Sequence, residues 1–365
     1  MVIHANTASV GKLHANAAKA IRRASIELER SDFYTNRYSD LNRSFDIVRT
    51  QISNLMRVPT SQISLQTSTS SGLAKLLASI PSNHRGVIAY PSLAFASTQG
   101  LALHLRGSVF VPVGDPLGRI TRFDLDSLGV KPRIVIAEWI NWVSGAETNL
   151  VEIASWCRKH GALLFVDGVQ GFGVKRLENL PEGIDAFISG FQKWCLAPEG
   201  SAFAYVSPNL IDIGRPQLLG YQSLLDFQTD HSLRNDARKF ETGTLSLPSF
   251  VGAAAALETL DQAEVARREL SLTNLISQIL VQIQSIDRSK IHFDSRGTSG
   301  ILSFNIDSIP PETTLRLLGK AGVNAQMRQG WVRLSPCPFT DPDALIKSLN
   351  RFKNLLRTIE GTKKC

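Results

Sequence analysis

The sequence predicts an α/β fold with a parallel or mixed sheet, followed by a small α+β C-terminal domain. Between about residue 62 and residue 206, short apolar runs typical of strands alternate with helical segments of 10–15 residues. This order is typical of a sheet with helices on both faces. After Pro248 the pattern changes to long helices and a few scattered strands. A chain of 365 residues is long enough for two such domains.

The individual elements follow from hydrophobic periodicity. Residues 1–11 indicate an extended arm, and amphipathic helices are predicted over 12–30 and 41–57. The large domain has predicted strands at 63–67, 87–90, 108–113, 134–137, 162–166, 186–188 and 202–206, with helices over 94–105 and 150–159. The C-terminal region is predicted to be helical over 250–283, with strands at 300–306 and 330–335 and a closing helix over 342–359. We therefore expect an arm and helix over 1–20, a large domain over 21–248 and a small domain over 249–365.

Composition narrows the class of protein. The chain is 43% hydrophobic and 20% charged, which is ordinary for a soluble globular protein. No apolar run approaches the ~20 residues that span a membrane, and the start of the chain lacks the pattern of a secretory signal. The four cysteines show no CxxC spacing, which favours a reducing, cytoplasmic location without disulfides or zinc: Cys157, Cys195, Cys337 and Cys365. The net charge of +8 is spread along the chain and favours a basic surface over a nucleic-acid partner.

Two charged residues follow predicted strands where a ligand is expected. Asp167 ends one strand, and Lys193 lies 26 residues further on, among mostly apolar neighbours. Open α/β sheets bind ligands at the carboxyl ends of their strands, and a lysine shielded from water becomes a nucleophile because its pKa falls. Taken singly, the lysine is more often a surface residue and the aspartate a turn residue. Together they fit pyridoxal phosphate, whose aldehyde bonds a lysine and whose ring nitrogen needs an anion.

Further residues fit the same cofactor. Ser70 and Ser71 lie where an apolar helix begins, and hydroxyl and N–H groups at a helix start bind phosphate. An ordinary helix cap would also explain these serines. Phe95 can stack on a flat ring, although core packing is the more common role of a phenylalanine. Gln170 can hydrogen-bond the phenolic oxygen of the cofactor. The order of these residues along the chain, more than any one of them, predicts the cofactor.

The same segments resemble the class V aminotransferase family of fold type I pyridoxal phosphate enzymes. Residues 166–170 (VDGVQ) resemble the family's VDGAQ segment, residues 189–194 (SGFQKW) its Schiff-base lysine segment, and residues 239–244 (KFETGT) its RFExGT segment. The resemblance implies a mixed, mostly parallel seven-stranded sheet, with Lys193 bonded to pyridoxal 5′-phosphate. It also implies a homodimer with shared active sites, in which Thr244 reaches the phosphate of the neighbouring subunit's cofactor.

The resemblance further implies a substrate site. Residues 327–336 (MRQGWVRLSP) are similar to the segment that binds the substrate carboxylate. Arg333 is therefore expected to hold an amino-acid carboxylate as a bidentate fork, with Arg328 close by. The opening arm, including Asn6, resembles the arm that lines the substrate pocket in the isopenicillin-N epimerase-like and C–S lyase-like branch.

Several positions depart from the family pattern. Gln192 stands before the lysine where histidine is common, as in the alanine–glyoxylate-type branch, and is expected to contact the cofactor. Gly190 stands where serine is common. A family asparagine that touches cofactor and substrate falls at Trp142, and Asn141 beside it is expected to bind substrate. These departures predict a substrate pocket unlike that of the housekeeping enzymes.

The reaction implied is one at Cα of an α-amino acid, through a Schiff base with the cofactor. An aminotransferase-type enzyme is the first expectation, a C–S (Cβ–X) lyase the alternative, and an epimerase or decarboxylating enzyme a further one. A persulfide-forming cysteine desulfurase is disfavoured, because no cysteine lies between Arg328 and Arg333. A non-catalytic binding protein is disfavoured because both Lys193 and Asp167 are present.

Overall fold

A seven-stranded sheet lies at the centre of the molecule. The computed structural model describes residues 2–36, 38–177, 179–226, 228–286, 289–292 and 299–362, so Cys365 lies outside the described residues. The strands in chain order are β1 (Ile3–His4), β2 (Ile63–Gln66), β3 (Gly86–Pro91), β4 (Ser108–Val113), β5 (Ile134–Glu138), β6 (Leu163–Asp167), β7 (Ala186–Gly190), β8 (Ala202–Val206), β9 (Leu224–Asp226), β10 (Asp230–Leu233), β11 (Ser289–His292), β12 (Leu302–Ile306), β13 (Val323–Asn324), β14 (Gln326–Arg328) and β15 (Trp331–Leu334).

The central sheet has the order β2-β8-β7-β6-β5-β3-β4. Strand β8 runs antiparallel to both of its neighbours, and every other pair in this sheet is parallel. The predicted mixed, mostly parallel seven-stranded sheet is thus confirmed. Because β5, β6 and β7 are parallel neighbours, their carboxyl ends meet at one edge of the sheet.

Helices cover both faces of this sheet and flank the C-terminal strands. They are α1 (Ala15–Leu28), α2 (Phe33–Asn36), α3 (Tyr38–Met56), α4 (Thr69–Ser79), α5 (Ser82–Arg85), α6 (Ala96–His104), α7 (Arg122–Asp126), α8 (Leu150–His160), α9 (Pro208–Ile213), α10 (Leu247–Leu257), α11 (Gln262–Gln284), α12 (Pro311–Lys320) and α13 (Pro342–Thr362). Among the described helices, none combines the length and the apolar character needed to cross a membrane. The cytoplasmic location stays a prediction.

Strand alternation distributes the core to the two faces of the sheet. In β5, Ile134 and Ile136 join the cluster that packs under α4, while Val135 and Ala137 face the larger cluster beneath the helices of the opposite face. This two-residue period is what a buried parallel strand with both faces covered requires. Helix α4 begins at a serine cap, where the Ser68 hydroxyl accepts from the Ser71 N–H at 3.1 Å.

A second core lies in the C-terminal part of the chain. The antiparallel sheet β11-β12-β15-β14 packs with α12, α13 and the second half of α11. The start of the chain belongs to the same core, because β1 pairs in parallel with β13 and buries Ile3 and Ala5 there. The first half of α11, including Leu272, packs instead with the larger cluster. The division at residue 248 stays a prediction.

Two differences from the predicted elements have physical causes. The long helix predicted over 250–283 is two helices, because α10 ends at Leu257 and Asp261 caps a new helix through the Glu264 N–H. Helix α12 was not predicted. It begins directly after Pro310, with Pro311 as its first residue, where the missing N–H costs no hydrogen bond.

Candidate active site

Lys193 and Asp167 lie at the shared carboxyl edge of the central sheet. Asp167 is the last residue of β6, and Lys193 follows β7 by three residues. Burial raises the pKa of Asp167 and lowers the pKa of Lys193, and the attraction between their opposite charges opposes both shifts. The structure therefore brings the two predicted residues together.

Glu138 is a third charged residue at this edge, and the sequence reasoning missed it. It ends β5 and pairs in register with Asp167. Its Oε1 accepts from the Phe95 N–H at 2.6 Å, and its Oε2 accepts from Asn141 Nδ2 at 3.0 Å. Its position at the end of a buried strand is the same signal that identified Asp167, and the predicted strand stopped one residue too early to use it.

Burial dominates the electrostatics of this group. Burial lowers the pKa of Lys193 to about 8, with the nearby arginines Arg333 and Arg328 acting in the same direction. Burial, together with the charge of Asp167, raises the pKa of Glu138 to about 8. Burial also raises the pKa of Asp167, opposed by the Val169 N–H and by Lys193. A lysine with a neutral fraction at physiological pH is suited to act as a nucleophile and base.

The start of α4 approaches the segment that carries Lys193. The Thr69 hydroxyl accepts from the Gly190 N–H at 2.9 Å, which ties the helix start to the end of β7. Ser70 and Ser71 follow on the first turn and are half-buried, and their hydroxyls make no hydrogen bond to any described residue. Hydroxyls at a helix start suit an anion such as a phosphate.

One aromatic ring, that of Phe95, lies over the lysine amine, and a second ring packs against it. Lys193 Nζ lies 5.6 Å from the centroid of the Phe95 ring. Trp142 packs edge-on against Phe95 at a centroid distance of 5.3 Å, and its Nε1 donates to the Leu93 carbonyl at 2.9 Å. The stacking role of Phe95 stays a prediction, and Trp142 packs against the edge of its ring.

Asn141, predicted to bind substrate, has its side-chain amide occupied by the protein itself. Asn141 donates to Leu93 and Glu138 and accepts from Val143 and Ser144, so it has no hydrogen left to donate to a substrate. The geometry does not support the predicted substrate contact of Asn141. It supports a role in shaping the turn before Trp142.

Gln170 and Gln192 lie against the arm and the lysine segment. Gln170 donates to the Ala8 carbonyl at 2.9 Å and accepts from Trp194 Nε1 at 3.0 Å. The second hydrogen of its amide remains for the predicted contact with the cofactor. The side chain of Gln192 lies over Gly190, where an added Cβ would sit 2.3 Å from its Oε1. A serine at that position would therefore displace Gln192.

Arg333 and Arg328 converge on the N-terminal arm. Arg333 Nη2 donates to Ser9 Oγ at 2.7 Å, and Arg328 Nη2 donates to the same oxygen at 3.0 Å. Ser9 in turn donates to Asn6 Oδ1 at 2.7 Å. Arg333 is fully buried, and burial, with the charge of Arg328, lowers its pKa to about 9. The four residues form one cluster beside Lys193, and Ser9 was not predicted.

Thr244 lies elsewhere on the protomer. It is exposed, and its hydroxyl lies 3.1 Å from the Tyr221 hydroxyl. Thr244 and Tyr221 line a groove of about 340 Å³, together with Tyr34 and Tyr38. None of the contacts described for Thr244 is with Lys193 or Asp167, and its contact with a neighbouring subunit's cofactor stays a prediction.

The donor set suits pyridoxal phosphate. One edge of the sheet presents a lysine for the aldehyde and a buried carboxylate for the ring nitrogen, and an aromatic ring for stacking lies 5.6 Å from the lysine amine. Two serine hydroxyls at the start of α4 suit the phosphate. These side chains supply the four kinds of contact that this cofactor needs, and the roles of the individual residues stay predictions.

Curated relatives carry two kinds of name. A probable cysteine desulfurase of Methanothermobacter thermautotrophicus is 29% identical over 213 residues, which are 58% of this chain and 52% of that protein. The uncharacterised aminotransferase YcbU of Bacillus subtilis is 31% identical over 127 residues, which are 35% of this chain and 34% of that protein. The chain spans about half the length, or less, of the first curated relatives that it matches.

Solved structures share the fold over nearly the whole chain. The cystine C–S lyase C-DES, in complex with its product cysteine persulfide, superposes with a TM-score of 0.84 at 19% identity and covers 96% of this chain and 97% of its own. A cysteine desulfurase of Thermococcus onnurineus superposes with a TM-score of 0.83 at 16% identity, covering 98% and 95%.

The family match is extensive. The family described as Aminotransferase class-V matches residues 34–333, which include β2 to β8, Lys193 and both arginines. One of the similar structures, a C-DES variant, carries glycine linked to its pyridoxal phosphate cofactor. The chain belongs to the class V aminotransferase family and is a pyridoxal-phosphate-dependent enzyme of fold type I.

Proposed function

We propose that this enzyme is a lyase that removes the proton from Cα of an α-amino acid and expels sulfur, or another substituent, from Cβ. The observation that carries the proposal is the arginine pair, which donates to Ser9 on the arm that is hydrogen-bonded to the Gln192 carbonyl, next to Lys193. An amino-acid carboxylate held by Arg333 and Arg328 would bring Cα close to Lys193 Nζ. The names of the relatives favour sulfur as the leaving atom, because most of them are cysteine desulfurases and one similar structure is a C–S lyase.

The short β14–β15 hairpin supports direct elimination without a protein thiol. Only Gln329 and Gly330 join the two strands, with positive φ angles of 48° and 77°. A two-residue turn has no segment that can carry a cysteine toward a substrate. Cys337 follows the hairpin, and burial raises the pKa of its thiol, which makes it a poor nucleophile. A persulfide-forming desulfurase is therefore a weaker proposal than a lyase.

Each residue of the site has a separate role in the proposed reaction. Bound pyridoxal phosphate supplies an electron sink for the charge that develops at Cα. Asp167 would hold its ring nitrogen, Phe95 would stack on its ring, and the hydroxyls of Ser70 and Ser71 would hold its phosphate. Lys193 has a pKa of about 8, so about a tenth of it is neutral at pH 7, and this fraction can take the proton from Cα.

Product analysis tests the proposal. The holoenzyme is incubated with L-cystine, L-cysteine, O-acetyl-L-serine or L-alanine, without a 2-oxo acid acceptor. Elimination from a β-substituted substrate consumes one water and gives pyruvate, ammonia and the protonated leaving group, whereas L-alanine gives none of these catalytically. Cys337→Ser is expected to keep full activity, since no thiol of the protein takes part. Loss of activity in that variant, or turnover only with a 2-oxo acid present, would contradict direct elimination.

Transamination is the second candidate. The match to the uncharacterised aminotransferase YcbU favours it. The same incubations with added 2-oxo acid distinguish the two reactions, because a transaminase converts L-alanine to pyruvate and passes the amino group to the acceptor.

We also propose a homodimer that shares its active sites. Tyr34 is 80% exposed, and Leu28, Tyr38 and Tyr221 are exposed around the same groove as Thr244. An exposed patch of large apolar side chains is typical of an interface between subunits. Size measurement in solution tests this, and Tyr34→Glu is expected to shift the population toward monomers. A native monomer that binds cofactor normally would contradict the proposal.

A further inference from the structure

The N-terminal arm is fixed at both ends of the pocket. On one side, the arm pairs with the C-terminal sheet region, since Asn6 bridges Ser335 and the Ala8 N–H donates to Ser335 Oγ at 3.1 Å. On the other side, the Gly11 N–H donates to the Gln192 carbonyl at 2.7 Å, next to Lys193. Ser9 lies between these anchors, so its hydroxyl is held against Arg333 and Arg328.

The Ser9 hydroxyl receives hydrogen bonds from two cations. Arg333 Nη2 and Arg328 Nη2 both donate to it, at 2.7 and 3.0 Å. Neither arginine has a carboxylate partner among the residues that the structure describes. A neutral hydroxyl accepts the hydrogen bonds but cannot balance two positive charges, one of which is fully buried. The pair therefore favours an anion at the position of this oxygen.

The edge of Arg333 that faces Ser9 has a second, unused donor. Nη1 donates to the Trp142 carbonyl, and Nε is buried without a hydrogen-bond partner in the described part of the chain. Nε and Nη2 lie on the same edge of a guanidinium, and this edge binds both oxygens of a carboxylate. Ser9 Oγ occupies one of the two acceptor positions of this edge, and no described residue occupies the other.

We propose that the Ser9 hydroxyl is an internal stand-in for one oxygen of the substrate carboxylate, and that it leaves the arginine pair when an amino acid binds. The proposal rests on the proposed function only in taking Arg333 as the site of an amino-acid carboxylate. It makes Ser9 a specificity-determining residue. A ligand that binds the arginines must replace the hydrogen bonds of the Ser9 hydroxyl to both of them. A carboxylate replaces these hydrogen bonds and also pairs its negative charge with the arginines, whereas a neutral group gains no charge pairing.

Two matched ligands isolate the carboxylate. 2-Aminoisobutyrate has an amine and a carboxylate but no Cα proton, so it binds without the proton transfer that starts elimination. Isopropylamine has the same amine and the same two methyl groups, with a hydrogen in place of the carboxylate. Spectral titration of the holoenzyme gives both dissociation constants, and the ratio of the constant for isopropylamine to that for 2-aminoisobutyrate measures what the carboxylate contributes.

Substitutions at Ser9 should change this ratio in opposite directions. Ser9→Ala removes the competing hydroxyl, and the ratio should rise about 10-fold. Ser9→Asp places a carboxylate on the arginine pair, so the ratio should fall to about one while isopropylamine binds as in the native enzyme. Ser9→Asn, of nearly the same size as aspartate but uncharged, controls for volume and should lower the ratio far less.

The outcomes separate this inference from the proposed function. An unchanged or lower ratio in Ser9→Ala would overturn it, since the hydroxyl would then support the carboxylate and not compete with it. A Ser9→Asp enzyme that binds 2-aminoisobutyrate with native affinity would also overturn it. Native isopropylamine binding and cofactor absorbance show that each variant is folded. Failure of the lyase proposal appears elsewhere, as absence of pyruvate in the native enzyme.

Discussion

Gly11 provides a sharp test of how the arm is seated. A Cβ added at this residue would lie 2.1 Å from the Lys193 carbonyl oxygen and 2.7 Å from Leu196 Cδ2. The first contact is with backbone, so no change of side-chain rotamer relieves it. Leu196 also has a positive φ of 56°, which leaves this turn little freedom to move. Gly11→Ala should therefore push the arm away from Lys193.

The free-energy cost of Gly11→Ala follows from one steric clash and one lost hydrogen bond. Overpacking of this kind costs about 1–3 kcal/mol, and losing the hydrogen bond from the Gly11 N–H to the Gln192 carbonyl costs about 1 kcal/mol more. A total of about 2–4 kcal/mol shifts the equilibrium between seated and detached arm by roughly 30- to 1000-fold. The variant should keep its central sheet, because the affected segment lies outside it.

Hydrogen exchange followed by mass spectrometry measures this shift directly. The amides of residues 3–11 should exchange faster in Gly11→Ala by the same factor, while those of the central strands should be unchanged. Gly319→Ala is the matched control, since an added Cβ in helix α12 meets nothing within 4 Å and should stabilise the helix by up to about 1 kcal/mol. Native protection of the arm in Gly11→Ala would refute the close approach of the arm to Lys193.

Three further predictions follow from buried charges. In cofactor-free protein, the rate of acylation of Lys193 should be half-maximal near pH 8, and a midpoint near 10.5 would contradict the burial of its amine. Between about pH 8 and 10.5, the contribution of Lys193 to stability should rise with pH, because the unfolded chain binds more protons than the folded one in that range. Glu138→Gln replaces one carboxylate oxygen, which accepts from the Phe95 N–H or from Asn141 Nδ2, by an amide NH2 group that can only donate. Thermal unfolding should show a loss of stability of about 1–3 kcal/mol. An unchanged melting temperature would argue against both hydrogen bonds. Arg49→Met removes the Nη2 group that donates to both Glu241 oxygens at 2.7 Å and should cost about 3–5 kcal/mol by denaturant unfolding. Arg49→Lys keeps the positive charge and should be intermediate, and an equal loss in both variants would show that the charge alone does not support Glu241.

The sequence identified the fold because its strands are buried and its periodicity is strong. Strands β4 and β8 have the predicted limits, and the alternation of strands and helices is the observed one. Short polar elements were missed, among them β14, because Gln326–Arg328 carries no apolar period. Such strands form through their partners and not through their own composition.

Residues of the candidate site could be predicted from the sequence only where they follow strands that are parallel neighbours in the sheet. Parallel strands bring their ends to one edge, so Asp167 and Lys193 were expected to meet, and Glu138 could have been found by the same rule. Ser9 could not have been found from local sequence, because its arginine partners are more than 300 residues away along the chain. The internal hydrogen bonds of Asn141 were equally hidden, since they depend on how two loops meet.

The pairing of β1 with β13 sets the order in which the protein can be completed during translation. The arm is synthesised before its strand partner Val323–Asn324, which follows 320 residues later. At about 5–20 residues per second, a ribosome needs roughly 15–60 s to supply that partner. For this interval the first residues have no strand to pair with, and the arginine pair that holds Ser9 does not yet exist. Chains released before residue 335 therefore lack the finished arginine cluster around Ser9, even though all seven strands of the central sheet are already made.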